Sequence, residues 1–351
     1  MLHPITFSIP LEKVVTEIPK KTKILSDLIP GKMSTYIYTN ETDYYNEYKQ
    51  SYFATTTKKA GWDCMRHYEI ITNGCVPYFP DIERCPPRTM ALLPKDLIVE
   101  GNTLYKRFLD SGATEENVKA HAELTKRFLK YTRDYLTTHR VAEYVLDKIG
   151  FKKSSIILGK ELDNIPVQNP KVVRYGKDDR WVEKVVSNPF IASNTFFGGD
   201  PAPLVSKIVE SVKSNILFLS GSTYSDYLRC LTLHGLKSIF GSACHDYPKI
   251  PHIYKTYMDP NRLYGKGMSY SNLLENSLHD DSLDTKIETL IKKKYFDLVI
   301  YGSYHRGMPF FDLVNQFYKP NEIVMLCGED IHDCNYDNYV KRGYNVFVRE
   351  L

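Results

Sequence analysis

An α/β fold of doubly wound parallel sheets is predicted, on three observations. In the last third of the chain, apolar runs end in small or polar residues and feed helical stretches: Ile216-Leu217-Phe218-Leu219 leads into Ser220-Gly221-Ser222, Leu298-Val299-Ile300-Tyr301 into Gly302-Ser303, and Ile323-Val324-Met325-Leu326 into Gly328-Glu329-Asp330. The first 150 residues alternate strand-like and helix-like runs in the same way. The length, 351 residues, suits about two domains. The expected architecture is therefore α/β, two Rossmann-like domains facing a cleft: residues 1–150, a structured linker over 151–213, and 214–351.

The elements follow in order. Lys23-Ile24-Leu25-Ser26 and Ser34-Thr35-Tyr36-Ile37-Tyr38 read as strands, the second after a Pro30-Gly31 turn. Residues 43–50 are polar and Tyr-rich, a short surface helix. Residues 66–72 have helical spacing and stop at Asn73-Gly74; Cys75-Val76-Pro77-Tyr78-Phe79 is a short buried strand. Residues 115–149 read as helix, with Leu124, Phe128, Tyr131 and Tyr135 on one face and a break at Thr137-Thr138. Between 151 and 210 the turn signals Asn169-Pro170, Asn188-Pro189 and Gly198-Gly199-Asp200-Pro201 mark a long connection, with a buried strand at Ile156-Ile157-Leu158 and a helix over 204–212. Residues 228–240 are helical, and Val346-Phe347-Val348 closes the chain as a strand.

Composition narrows the function classes. Lys and Arg number 46 against 42 Asp and Glu, a net charge of only +4, which does not suit a dedicated nucleic-acid binder. No apolar run approaches the ~18–20 residues that span a bilayer, and the N-terminus lacks the pattern of a signal peptide. The 7 cysteines are odd in number, scattered and without a CxxC pair, so no structural zinc site is expected and a reducing cytoplasm is the expected setting. The 27 tyrosines suit sites that stack flat rings and bond hydroxyls, although most tyrosines are simply half-buried.

The most informative segment is Gly61-Trp62-Asp63-Cys64-Met65-Arg66-His67-Tyr68-Glu69. A glycine turn opens a helix whose free N–H groups and positive dipole end suit a phosphate. Arg66 adds a bidentate clamp, and Glu69, one turn on, can accept from two ribose hydroxyls. The plain alternative is an i,i+3 surface pair between Arg66 and Glu69. Lys58 and Lys59, just before the turn, either add positive potential or are ordinary solvated lysines; Arg84, Arg88 and Lys95 share that ambiguity.

The run from Glu69 through Gly74 to Pro77, with the upstream Tyr44-Tyr45-Asn46-Glu47-Tyr48 and Ser51-Tyr52-Phe53, resembles the donor site of GT-B-fold glycosyltransferases of the exostosin-like, viral or microbial type. The resemblance covers about residues 5–147. It implies that Glu69 holds the ribose of a nucleotide-sugar, that Arg66 contacts the diphosphate, and that Gly61, His67, Gly74 and Lys59 belong to the donor-binding segment. The final third resembles the partner, acceptor-side domain through Asp226-Tyr227-Leu228 with His234-Gly235-Leu236, Asp246-Tyr247-Pro248-Lys249, Leu263-Tyr264-Gly265-Lys266-Gly267, residues 302–307 and Gly328-Glu329-Asp330. The order departs from the family, in which the acceptor domain comes first. Phe347-Val348-Arg349-Glu350-Leu351 reads as if it should continue into Pro4-Ile5-Thr6-Phe7-Ser8, so a circular permutation with both termini near the hinge is expected.

Three groups compete for the role of base. His305 follows a strand and has an intrinsic pKa suited to neutral pH, with Ser303 and Arg306 beside it to orient an anionic group; a strand-end histidine bonded to backbone is the plain alternative. Asp330, within Glu329-Asp330-Ile331-His332-Asp333, is either a base or metal ligand or a solvated cap of the next helix. Asp246 is the third. His279-Asp280-Asp281 and Asp178-Asp179 lack the spacing of a metal-diphosphate motif and are expected to be solvated. The resemblance thus implies a metal-independent hexosyl- or pentosyltransferase in glycan biosynthesis. It would move sugar from a nucleotide-sugar substrate to a hydroxyl of a glycan or other acceptor, with no further cofactor, no nucleic acid and no membrane span, in the cytoplasm (the host's, if viral). Ser220-Gly221-Ser222 keeps open a Rossmann-type methyltransferase or oxidoreductase, and a non-catalytic binding descendant is the third reading.

Overall fold

The structure, a computed structural model, describes residues 1–168, 171–178, 180–330 and 334–351. Asn169, Pro170, Asp179, Ile331, His332 and Asp333, all named above, lie outside the described residues.

From the N-terminus come β1 (Leu2–Pro4), β2 (Lys23–Leu25), α1 (Glu41–Lys49), β3 (Ser51–Thr55), α2 (Met65–Thr72), β4 (Val76–Tyr78), α3 (Lys95–Ser111), α4 (Glu115–Tyr131) and α5 (Thr138–Lys148). The middle holds β5 (Ser155–Lys160), β6 (Asn164–Ile165), β7 (Lys171–Lys177), β8 (Arg180–Val186), β9 (Phe190–Ile191), α6 (Asn194–Phe197) and β10 (Ile208–Val212). Then follow β11 (Ile216–Leu219), α7 (Tyr227–Phe240), β12 (Cys244–Tyr247), α8 (Asp281–Asp284), α9 (Ile287–Lys292), β13 (Leu298–Gly302), α10 (Phe311–Phe317), β14 (Ile323–Cys327), α11 (Tyr336–Lys341) and β15 (Asn345–Val348).

The molecule is mixed α/β around a six-stranded, wholly parallel sheet in the order β1-β15-β14-β13-β11-β12. Its central strands read as unbroken apolar runs because helices cover both faces: all five residues of β14 are fully buried. Such side chains stabilise the fold by about 1.5–3 kcal/mol each. A second, three-stranded parallel sheet, β2-β3-β4, lies among α1 to α5. One continuous apolar core runs from Phe53, Tyr68 and Val76 of that region to Ile216, Phe218 and Phe347 of the large sheet. The crossing of α5 on α7 is close enough that Gly235 has no room for a Cβ against the Thr138 carbonyl. Thr138 Oγ1 and His139 Nδ1 meet His234 Nδ1 (2.8 Å) and Ser238 Oγ (3.0 Å) there.

Several expectations need correction. Residues 34–38 form no strand; Met33–Thr35 is a 3-10 turn, because the Thr35 hydroxyl bonds the carbonyls of Ile29 and Lys32 and so satisfies the backbone locally. The helix expected over 204–212 is a strand, β10, and 155–212 carry an antiparallel sheet, β5-β10-β7-β8, with its own core around Val173, Tyr175 and Val209. β5 is an edge strand with Ile156 and Ile157 exposed, where burial was expected. The chain's first and last segments do not run end to end: they lie side by side and parallel, His3 opposite Phe347 and Pro4 opposite Val348. Cys327 and Cys334 are disulfide-bonded, and the other five cysteines are free. Among the described residues no helix is long and apolar enough to cross a membrane.

Candidate functional site

The start of α2 lies against the carboxyl ends of the large sheet's strands. The N–H groups of Trp62 and Asp63 donate to the Glu350 carboxylate, both at 2.9 Å. Arg349, buried, donates to Glu350 at 2.7 Å and also reaches Asp330 and the Asp63 carbonyl. A Cβ at Gly61 would crowd the carboxylates of Glu350 and Asp330. The turn before the helix is thereby fastened to the end of β15, while Cys64, the N-cap residue, makes no side-chain cap bond to the helix's first N–H groups.

Arg66 is 7% exposed. Its Nη2 donates to the Tyr36 hydroxyl at 2.9 Å, and its Nη1 is buried without a partner. Lys59 and Arg66 both lie over the Tyr36 ring, at 5.5 and 5.8 Å. Glu69 does not pair with Arg66 on the surface. It is buried and accepts from the hydroxyls of Tyr44 (2.6 Å) and Ser269 (2.5 Å). Burial raises its carboxyl above the usual range, and those two donors oppose the rise. Ser269 sits at φ 73°, in a segment that folds over Glu69. His67 faces inward: its Nδ1 meets Thr56 Oγ1 at 2.9 Å and its Nε2 the Trp62 carbonyl at 2.8 Å. Burial pulls it down to about 4, so it is a neutral core residue with no nitrogen left for a ligand. Gly74 is a helix-stop turn at φ 66° pressed on Pro19, a packing position.

On the sheet side, Ser303 takes a left-handed conformation after β13 and donates to Asp226 at 2.5 Å. Arg306 reaches Asp226 at 3.4 Å and Glu329 at 3.7 Å. His305 Nε2 lies 2.6 Å from Glu329 and also accepts from Arg306 Nε at 3.2 Å, while Nδ1 is buried and unpartnered. Burial lowers the His305 pKa, opposed by Glu329. With one nitrogen on Glu329 and the other inside, His305 backs Glu329, and Glu329 is the member of the pair that reaches solvent, its side chain 40% exposed. Asp330, half-exposed, is held by Arg349.

Asp246 is removed as a base. It is fully buried between Lys237 (3.0 Å), His279 (3.0 Å) and the Tyr254 hydroxyl (2.6 Å). Burial alone would raise its carboxyl, but these partners hold it well below the usual carboxylate range, where it has no affinity for a substrate proton. His279 is likewise not solvated; its side chain is fully buried.

Residues given no chemical role in the sequence analysis complete the site: Tyr36 under Arg66, Asp226 behind Ser303 and Arg306, and the Arg349–Glu350 pair. Only the strand-end position of Arg349 and Glu350 could have marked them. Among the described residues, metal-capable donors converge within 4.8 Å in two places, His305 with Cys327 and Cys334, and His245 with His279 and Asp284; the sulfurs of the first are in the disulfide. No family model matches the chain, and no curated protein or solved structure is found similar to it.

Proposed function

We propose that this chain is a glycosyltransferase with two Rossmann-like domains, taking a nucleotide-sugar in the cleft between the start of α2 and the carboxyl ends of β13 and β14. The observation that carries this reading is Arg66, a buried guanidinium with an unpartnered Nη1 beside an uncapped helix start. Such a pair of donors matches the charge that grows on a leaving nucleoside diphosphate, without need of a metal. Arg306 and Lys59 add exposed positive charge, and the 70%-exposed Tyr264 offers a ring face to a base. Glu329, backed by His305, takes the role of base toward the acceptor hydroxyl. The two hydroxyls now on Glu69 are of the kind a ribose would present, so a ribose there displaces Ser269. The dinucleotide or S-adenosylmethionine alternative is less well supported, because Gly221 is packed on the Gly307 backbone, which fills the turn after β11.

The test is calorimetric binding of UDP, GDP, dTDP and CMP in the presence of EDTA. One diphosphate should bind, with at least about tenfold weaker binding in Arg66→Gln, since a charge-assisted contact contributes about 1.5–3 kcal/mol. Absence of binding by any of the four to the folded protein would sink the reading.

A further inference from the structure

At the edge of the large sheet farthest from β1, three side chains converge that the site above does not use. His245 is on β12, opposite Leu217 of β11. His279 precedes α8, and Asp284 is the last residue of α8. Asp284 Oδ1 lies 2.8 Å from His245 Nε2 and 3.4 Å from His279 Nε2, and all three donor atoms fall within 4.8 Å of one another. Ligand atoms at about 2.0–2.1 Å from one ion stand about 2.9–3.4 Å apart, from octahedral to tetrahedral geometry.

The hydrogen-bond pattern points the same way. His279 Nδ1 is 3.0 Å from Asp246. Asp246 already accepts from Lys237, Tyr254 and the Ile250 N–H, so it is an ionised acceptor, and the proton belongs on His279 Nδ1. Its Nε2 faces two carboxylates, Asp284 at 3.4 Å and Asp281 at 3.6 Å. A carboxylate behind the remote nitrogen of a histidine is also the support that orients a metal-binding imidazole. His245 differs from the structural histidines His67 and His121, whose two ring nitrogens are both bonded. Its Nδ1 is buried with no partner, and its ring stacks on His279 at 4.6 Å between centroids. The side chains of Asp281 and Asp284 are 77% and 31% exposed, which gives an ion a path in from solvent.

We propose that His245 Nε2, His279 Nε2 and Asp284 bind one divalent first-row transition ion, with Asp281 beside them as a further oxygen ligand. Two imidazoles and a carboxylate suit Zn²⁺ and its neighbours rather than Mg²⁺ or Ca²⁺. The ion would fasten the loop before α8 to the edge strand β12. This site is independent of the glycosyltransferase reading.

The test is equilibrium dialysis of the EDTA-stripped full chain against ZnCl₂ and, separately, CoCl₂. Reductant is left out so that the Cys327–Cys334 disulfide keeps those sulfurs from binding. One Zn²⁺ per chain is expected, with a visible Co²⁺ spectrum typical of nitrogen and oxygen ligands and a melting temperature that rises with Zn²⁺. In His245→Gln and Asp284→Asn, each checked for folding by circular dichroism, affinity should fall at least about tenfold and the thermal shift should vanish. No saturable uptake of either ion by the folded wild-type chain overturns the proposal, as does uptake undiminished in both variants.

Discussion

Burial decides what the ionisable side chains of this protein can do. His67 and His121 are both buried with both nitrogens bonded, and burial pulls each from 6.5 to about 4. Each therefore contributes stability that is complete above pH 6.5 and lost as pH falls toward 4, because the unfolded chain takes up the proton first. The loss is about 3 kcal/mol per histidine at the acid end. Asp63, pushed by burial up to about 6, has the opposite sign: its protonated form is favoured by the fold, so its contribution is present below 3.8 and lost as pH rises through 6. It offsets roughly one of the two. Urea midpoints should accordingly fall between about pH 7 and about pH 4.5, and fall less steeply in His121→Gln. A flat profile would mean that these rings reach solvent in the folded state. The same physics marks the limit of sequence at this scale. Arg66, Glu69 and His305 were legible as chemically able residues, because their types and their places at a helix start or strand end are written in the chain. That Glu69 would be covered by Ser269, 200 residues away, or Asp246 locked by Lys237, was not. Those facts depend on contacts that no local pattern encodes.

At the scale of elements, the legible parts were those whose pattern is enforced by one dominant partner. The break between α4 and α5 was visible because Thr137 is a true N-cap, accepting from the Arg140 N–H. β11, β13 and β14 were visible as apolar runs fully buried in a parallel sheet. The antiparallel sheet over 155–212 was hidden, since β5 and β8 expose much of their length and alternate weakly. Gly235 makes a sharp test of the helix packing. In a lone helix, Gly→Ala stabilises by up to about 1 kcal/mol. Here the new methyl overlaps the Thr138 carbonyl of α5, and backbone cannot step aside cheaply. Gly235→Ala should therefore destabilise by about 1–3 kcal/mol. A melting temperature that rises instead would show that α5 and α7 are not held this closely.

At the scale of the whole molecule, the parallel class of the large sheet was legible, whereas its edge was not: β1 is only three residues long, too short to register as a pattern. Yet the segment it begins is deeply anchored. Ile5 and Ile9 are fully buried and Phe7 nearly so, and the Ile5 N–H donates to the Val348 carbonyl at 3.1 Å. Removal of residues 1–9 should cost several kcal/mol, with about 1.5–3 kcal/mol for each apolar side chain withdrawn. Loss of a cooperative urea transition would register it; an unchanged midpoint would mean that the segment is a dispensable flap.

That pairing also fixes a timetable. The Met1 amino group contacts the Tyr344 carbonyl, 343 residues away, and β1 has no partner in the large sheet until β15 exists. During synthesis the first strand leaves the ribosome long before its neighbour is made, and Ile5, Phe7 and Ile9 must wait without their final packing. The sheet's β1 edge can form only once β15 exists, so a product stopped before residue 345 is an open-edged, aggregation-prone species.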